Sequence, residues 1–229
     1  MPGWRDAARD DVAAFVLAGG QSSRMGRDKA LVELAGRPMV MYALKTLGSV
    51  GLGPSIAGAR SDLTAYAPVI ADAAPDRGPL QGICTALEKT LRQRGAQWAL
   101  FVSVDQPLLP ASLLEYMMAH ARITERAVTL ASVSGFAQTF PALIRQDLLP
   151  ALQVEAKAEG MGCFAAFRAA AQRRGETMSV LAVEMLVQTG HVSHPMGLPA
   201  AQWFMNVNTP EELDRAAALI QQSEANALI

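Results

Sequence analysis

Val12-Ala13-Ala14-Phe15-Val16-Leu17-Ala18-Gly19-Gly20-Gln21-Ser22-Ser23-Arg24-Met25-Gly26-Arg27-Asp28-Lys29 is an unbroken apolar run that opens into a glycine-rich loop carrying Arg24 and Lys29. A buried strand ending in such a loop is a device for gripping phosphate, because consecutive backbone N–H groups can turn inward around an anion. Gly19, Gly20 and Gly26 supply the backbone freedom, and the two cations supply the charge. The common phosphate motifs do not fit. The loop lacks the Gly-Lys-Ser/Thr ending of a Walker A sequence and the Gly-x-Gly-x-x-Gly spacing of a dinucleotide turn.

Working outward, short apolar runs alternate with stretches of helical period, the pattern of βαβ units and a mostly parallel sheet. Strands are expected at 12–17, 55–58, 69–72, 97–104, 127–132, 140–144 and 179–183. Helices are expected from Pro38, at 61–67, 79–94, 110–121, 146–156 and 162–173. The last helix starts at Thr209-Pro210-Glu211-Glu212, a capping box with proline in the first turn. The stretch 189–202 is the longest expected loop. The run Gln97-Trp98-Ala99-Leu100-Phe101-Val102-Ser103-Val104 is the clearest buried strand, and it ends in Asp105. Ligands of open α/β sheets bind beyond the carboxyl ends of the strands, so an acid there is placed to work. On residues alone, Asp105 could equally begin a turn before the helix near Pro110.

The chain has 229 residues, 51% hydrophobic and 18% charged, the balance of an ordinary globular protein able to hold a sizeable core. No apolar stretch reaches the roughly 20 residues that span a bilayer, and the N-terminus does not read as a secretory signal, so a cytoplasmic location is expected. Twenty basic against 21 acidic side chains give a net charge of −1, which leaves no footprint for nucleic acid or for an anionic membrane. Cys84 and Cys163 are far apart in sequence and read as packed, reduced thiols. His191 and His194 read as loop histidines rather than metal ligands, since no acid or cysteine is spaced with them.

The loop 17–29 resembles the signature of the nucleotidyltransferases, and within them the molybdenum cofactor guanylyltransferases of MobA type. The likeness continues through Ala30 to Met39 and recurs at Asp72, at Gly78-Pro79-Leu80-Gln81-Gly82-Ile83, at Asp105-Gln106-Pro107 and at Asn206-Val207-Asn208-Thr209-Pro210-Glu211-Glu212-Leu213. These landmarks keep the family's order over most of the chain. The resemblance implies an α/β fold: a single-domain, Rossmann-like, three-layer α/β/α nucleotidyltransferase with a mostly parallel sheet. It places an N-terminal tail at 1–11, the nucleotidyltransferase domain at 12–225 and a C-terminal tail at 226–229. Within the domain, 12–110 is the nucleotide-binding half and 111–225 the acceptor-binding half.

The chemistry so implied is attack by a phosphate oxygen of molybdopterin on the α-phosphorus of GTP, with Mg²⁺ present and pyrophosphate leaving. The nucleophile is already an anion, so no Ser/His/Asp or Cys/His arrangement is required, and the demand is for charge neutralisation and alignment. Arg24, Lys29 and Asp105 would be catalytic, the two cations steadying the pyrophosphate and Asp105 holding the metal. Leu17, Ala18, Gly19, Gly20, Lys29, Asp72, Gly78, Pro79, Gly82 and Asp105 would bind the nucleotide. Asn206 and Asn208, which alternate along an extended segment, would lie on the acceptor side, although Asn208 could instead shape the turn into the last helix. Gly19 stands where a cytidylyltransferase tends to carry alanine, and the missing methyl leaves room for a purine. Arg27 and Asp28 read as solvated charges.

One departure concerns the acceptor. At Gly160-Met161-Gly162-Cys163-Phe164 many guanylyltransferases carry basic residues, and this chain has none. Other functions of the same fold therefore stay open: a nucleotidyltransferase with another phosphorylated acceptor, a CTP-using molybdopterin cytidylyltransferase, or a non-catalytic nucleotide-binding regulator. The resemblance also allows transient contact with other cofactor-biosynthesis proteins or with molybdoenzymes.

Overall fold

A computed structural model describes residues 9–18, 28–58, 60–71, 78–93, 96–158 and 160–226. In chain order the strands are β1 (Val12–Leu17), β2 (Glu33–Leu34), β3 (Arg37–Pro38), β4 (Ser55–Ala57), β5 (Val69–Ile70), β6 (Trp98–Ser103), β7 (Val128–Val133), β8 (Phe136–Arg145) and β9 (Ser179–Ala182). The α-helices are α1 (Met39–Ser49), α2 (Pro79–Gln93), α3 (Ala111–Thr124), α4 (Leu149–Glu155), α5 (Cys163–Arg173), α6 (Val183–Gln188), α7 (Ala200–Trp203) and α8 (Pro210–Asn226).

Seven strands form one sheet in the order β5-β4-β1-β6-β8-β7-β9. All neighbours run parallel except around β8, which is antiparallel to both β6 and β7. This is the mostly parallel α/β architecture that the alternation of runs predicts. Both faces of such a sheet are covered, so its central strands are apolar at successive positions. All six residues of β1 are buried.

The alternation of β1 assigns its residues to two layers. Val12, Ala14 and Val16 join the core under α1 and α3, whose Val40, Leu44, Leu47, Leu113, Leu114 and Met117 point to the sheet. Ala13, Phe15 and Leu17 join the core on the opposite face with α2, α4 and α5, where Phe15 stacks on Phe101 at a centroid distance of 5.1 Å. A third, smaller cluster seats α8 on the β2–β3 hairpin through Leu34, Met39, Val207, Ala216 and Ile220. That seating carries the end of the chain back to the loops that follow β1 and β6.

Four segments differ from the periodic reading. The helix expected at 61–67 is only a 3₁₀ turn at Ser61–Leu63, followed by irregular turns. β8 starts at Phe136 rather than Phe140, because the chain turns tightly at Ser134 and Gly135, both at positive φ, and the first residues of the strand are exposed, so no apolar run marks them. Residues 183–188 form α6, and the expected loop 189–202 is shortened by α7. The loop that remains is pinned by His194. Its Nε2 donates to the Leu108 carbonyl at 2.9 Å and its Nδ1 accepts the Met196 N–H at 3.1 Å, with the ring tilted against Trp203.

Candidate active site

β1, β4, β5 and β6 are mutually parallel, so the loops after all four leave the same edge of the sheet. The chain order runs from β1 outward to β4 and β5, then crosses back through α2 to β6 on the other side of β1. The carboxyl end of β1 is thus a topological switch point, where open α/β sheets place their ligands. The Val104 N–H donates to the Leu17 carbonyl at 3.1 Å, which extends the β1–β6 pairing one step further and delivers Asp105 to that edge.

Asp105 is the centre of the described site. Its Oδ2 accepts from Lys29 Nζ at 3.0 Å, and its Oδ1 accepts from the Ser103 hydroxyl at 2.5 Å. Ser103 ends β6 and Asp105 sits in the tight turn that follows, closed by the Gln106 N–H donating to the Ser103 carbonyl at 3.3 Å, and that turn brings the two side chains together. Lys29 Nζ also donates to Asn208 Oδ1 at 2.5 Å. Three segments far apart in sequence meet at this ammonium, with Lys29 and Asp105 side chains only 18% and 20% exposed.

Asn208 is brought there by the start of α8. The Val207 N–H donates to the Asp105 carbonyl at 2.8 Å, and Val207 is fully buried, which turns the two asparagines the other way. Glu212 Oε2 accepts the N–H groups of Asn208 at 2.6 Å and Thr209 at 3.0 Å, while Thr209 Oγ1 accepts the Glu212 N–H at 3.3 Å. The capping box is therefore formed, and it fixes the backbone from which Asn208 reaches Lys29. Asn208 does not spend its side-chain oxygen on shaping its own turn. Asn206 is exposed at the same edge.

The remaining expected residues divide into two groups. Leu17 ends β1 and Ala18 follows it, and Gly78, at φ +78°, precedes Pro79 at the start of α2, with Gly82 buried one turn in. Since α2 leads into the opposite end of β6, its N-terminus sits at the site edge of the sheet. Gly19, Gly20, Arg24, Gly26, Arg27 and Asp72 lie outside the described residues.

Asp28 is not the solvated charge that its sequence suggests. Its Oδ1 accepts the Ala30 N–H at 2.9 Å, and its Oδ2 lies 2.6 Å from Arg60 Nη2. The sequence does not single out Ser103 or Arg60 as site-building residues, and it shows Glu212 only as a cap, not as the group that fixes Asn208. Ser103 carries a signal, a hydroxyl in an otherwise apolar strand two positions before the acid, and Arg60 carries none.

On the acceptor side, α5 starts at Cys163 with Gly162 before it, and Met161 and Phe164 are partly buried against the same core as Phe140. The arginines beyond them are engaged elsewhere: Arg173 pairs with Glu155 at 2.8 Å, and Arg174 pairs with Asp147 at 2.8 Å and Glu176 at 3.1 Å. Arg168 is exposed. Cys84 and Cys163 are both free and buried, as packed thiols should be, and burial pushes them up to about 12 and about 11.

Chemically, the site presents a carboxylate and an amide oxygen around one cation, all hard oxygen donors. Among the described residues no group of three or more His, Cys, Asp or Glu side chains is arranged to hold a metal, and no helix is long and apolar enough to cross a membrane.

Residues 14–173 match the family described as the MobA-like NTP transferase domain. Over 208 residues the chain is 32% identical to the molybdenum cofactor guanylyltransferase of Vibrio atlanticus, a match that covers 89% of this chain and 94% of that one. It is 35% identical over 216 residues to the protein of the same name from Cupriavidus metallidurans, covering 90% and 94%. Among solved structures, molybdopterin-guanine dinucleotide biosynthesis protein A from Archaeoglobus fulgidus superposes with a TM-score of 0.71 at 18% identity, covering 92% of this chain and 99% of that one.

Proposed function

Because the chain belongs to the MobA-like NTP transferase family, we propose that it is a molybdenum cofactor guanylyltransferase, which moves GMP from GTP to the phosphate of molybdopterin and releases pyrophosphate. The observation that carries this reading is the placement of Lys29 Nζ between Asp105 Oδ2 and Asn208 Oδ1, at the switch point of the sheet. Relatives named molybdenum cofactor guanylyltransferase, matched over 94% of their length, support the choice of GTP and molybdopterin.

The ammonium of Lys29 stands where a cation is wanted. A carboxylate and an amide oxygen separated by one positive charge suit a hard divalent ion, and Mg²⁺ takes few protein ligands, drawing the others from phosphates and water. Asp105, with Asn208 beside it, would hold Mg²⁺, which when bound would neutralise the triphosphate and polarise the α-phosphate. The Ser103 hydroxyl keeps one carboxylate oxygen of Asp105 oriented. Lys29, released from its two partners by the incoming triphosphate, places its charge on the departing pyrophosphate, and Arg24 adds a second cation from the same loop. The α2 N-terminus, with Gly78 and Gly82, leaves backbone surface open to the nucleotide, and Asp72 would bind the base and ribose. Asn206 and Asn208 face the acceptor. The reaction is set in the cytoplasm.

The test is a thermal-shift panel of GTP, ATP, CTP and UTP with Mg²⁺, followed by incubation with molybdopterin and labelled GTP. A nucleotide at 100 times its dissociation constant stabilises the fold by about 2.7 kcal/mol, a readily measured shift. GTP-selective stabilisation and a labelled dinucleotide are expected. Selective stabilisation by CTP, or GTP binding with no dinucleotide formed, overturns the proposal.

A further inference from the structure

Arg60 lies just beyond β4, ahead of a short 3₁₀ turn at Ser61–Leu63, and its side chain is only 16% exposed. Its guanidinium makes contacts in three directions. Nη1 donates to the Ala18 carbonyl at 3.0 Å, Nη2 pairs with Asp28 Oδ2 at 2.6 Å, and Nε and Nη2 meet the two oxygens of Asp62 at 3.0 and 2.8 Å. Ala18 and Asp28 are the residues on either side of positions 19–27. One planar group thus ties together the two points where the chain leaves β1 and where it returns.

The return is tied a second time. Asp28 Oδ1 accepts the Ala30 N–H, and the Asp28 carbonyl accepts the N–H groups of Leu31 at 3.1 Å and Val32 at 3.0 Å. Lys29 leaves this turn directly for Asp105. The Arg60 contact to Asp28 is therefore one residue away from the side chain at the centre of the site. Arg60 itself faces two carboxylates and a carbonyl, so its charge is already matched and it is not a group for binding phosphate. Only a guanidinium can reach all three partners at once, because its N–H groups point in fixed and different directions.

We infer that Arg60 is a positioning residue for the nucleotide: by bridging the Ala18 carbonyl and the Asp28 carboxylate it holds these two residues at a set separation, and it sets the direction from which Lys29 approaches the triphosphate. The inference builds on the guanylyltransferase reading. An ordinary ion pair at the end of β4 would contribute to melting temperature alone. A positioning residue moves the nucleotide constants and leaves those of the acceptor in place.

The experiment is steady-state kinetics of Arg60→Gln and Arg60→Lys against wild type, with GTP and molybdopterin varied separately, well below each protein's melting midpoint. Arg60→Gln removes charge-assisted hydrogen bonds and is expected to raise KM for GTP about tenfold or more. KM for molybdopterin should stay at the wild-type value, and Arg60→Lys, which keeps the charge and loses the fork, should recover only part of the loss. Should Arg60→Gln fold too poorly to assay, Asp28→Asn cuts the same bridge from the other side while its amide oxygen can still accept the Ala30 N–H, and the same separation of the two KM values is expected. A melting temperature that falls while both KM values stay fixed overturns the inference, as does full recovery by lysine. Wild type failing to bind GTP overturns the guanylyltransferase reading itself; normal wild-type binding with unaltered variants removes Arg60 alone.

Discussion

Replacing Lys29 with methionine keeps an unbranched side chain only one atom shorter and deletes its charge, so it separates what the residue does for the fold from what it does for the reaction. In the fold, Lys29 makes one ion pair and one further hydrogen bond, to Asp105 at 3.0 Å and Asn208 at 2.5 Å, with its side chain 18% exposed. That exposure lies between a surface pair, worth about 0–1 kcal/mol, and a buried one, where removing a partner costs about 3–5 kcal/mol, so a loss of about 1–2 kcal/mol is expected. For a chain of this size each kcal/mol lowers the melting midpoint by about 2–4 °C, which gives a fall of about 2–8 °C. The reaction should suffer far more. Deleting one preorganised charge that faces the developing charge of the transition state costs about 10²–10³ in rate. The assay is pyrophosphate release from GTP and molybdopterin well below both midpoints, beside calorimetric melting of the same samples. A variant that melts a few degrees lower yet keeps kcat/KM within about threefold of wild type would show that Lys29 is a strut between β6 and α8 and nothing more.

Two further outcomes concern residues away from the chemistry. His194 accepts the Met196 N–H at Nδ1, so Nε2 must carry the proton it donates to Leu108, and protonating Nδ1 breaks the first bond. Burial holds this imidazole below its ordinary value of 6.5, so the unfolded chain binds the proton more readily; the stabilisation is complete above that value and is lost as pH falls through the lower folded one. Urea midpoints between about pH 7.5 and 5.5 should fall more steeply for wild type than for His194→Gln, and equal slopes would dismiss the assignment. With burial pushing Cys84 to about 12 and Cys163 to about 11, a thiol reagent at neutral pH should label the native protein far more slowly than the urea-unfolded one. Equal rates would mean that the core over α2 and α5 opens freely.

The sheet was legible because buried strands must be apolar, and β1 and β6 announce themselves by that alone. The capping box at Thr209 and Glu212 was legible for a similar reason: it is local, with both partners within one helical turn. Asp105 could be singled out from its position at the end of β6, and Lys29 from the loop it closes, but nothing local says that they touch or that Asn208 joins them. That contact needs α8 to dock on the β2–β3 hairpin through Leu34, Val207 and Ile220, a packing event between segments 170 or more residues apart. Asp28 was misread because its partner, Arg60, becomes a neighbour only through the parallel pairing of β1 with β4. The hairpin β7–β8 was shortened in the reading because its tip is exposed and mixed in polarity, with Phe136 left 75% exposed, so burial no longer marks the strand.

The two charge clusters around β1 divide the work of preparing the same loop. On the β6 side, Lys29, Asp105, Asn208 and Ser103 form a set in which the cation is held by groups that a triphosphate and its counterion would engage instead. Such bonds are exchangeable, since what the ammonium gives up in carboxylate and amide it regains in phosphate. On the β4 side, Arg60 is held by Asp28, Asp62 and the Ala18 carbonyl with no charge to spare, and has nothing to gain from an anion. A nucleotide should therefore rearrange the first cluster and leave the second intact. The fixed cluster holds Ala18 and Asp28 in place while the exchangeable one changes partners, and that asymmetry lets Lys29 present its charge from a defined place.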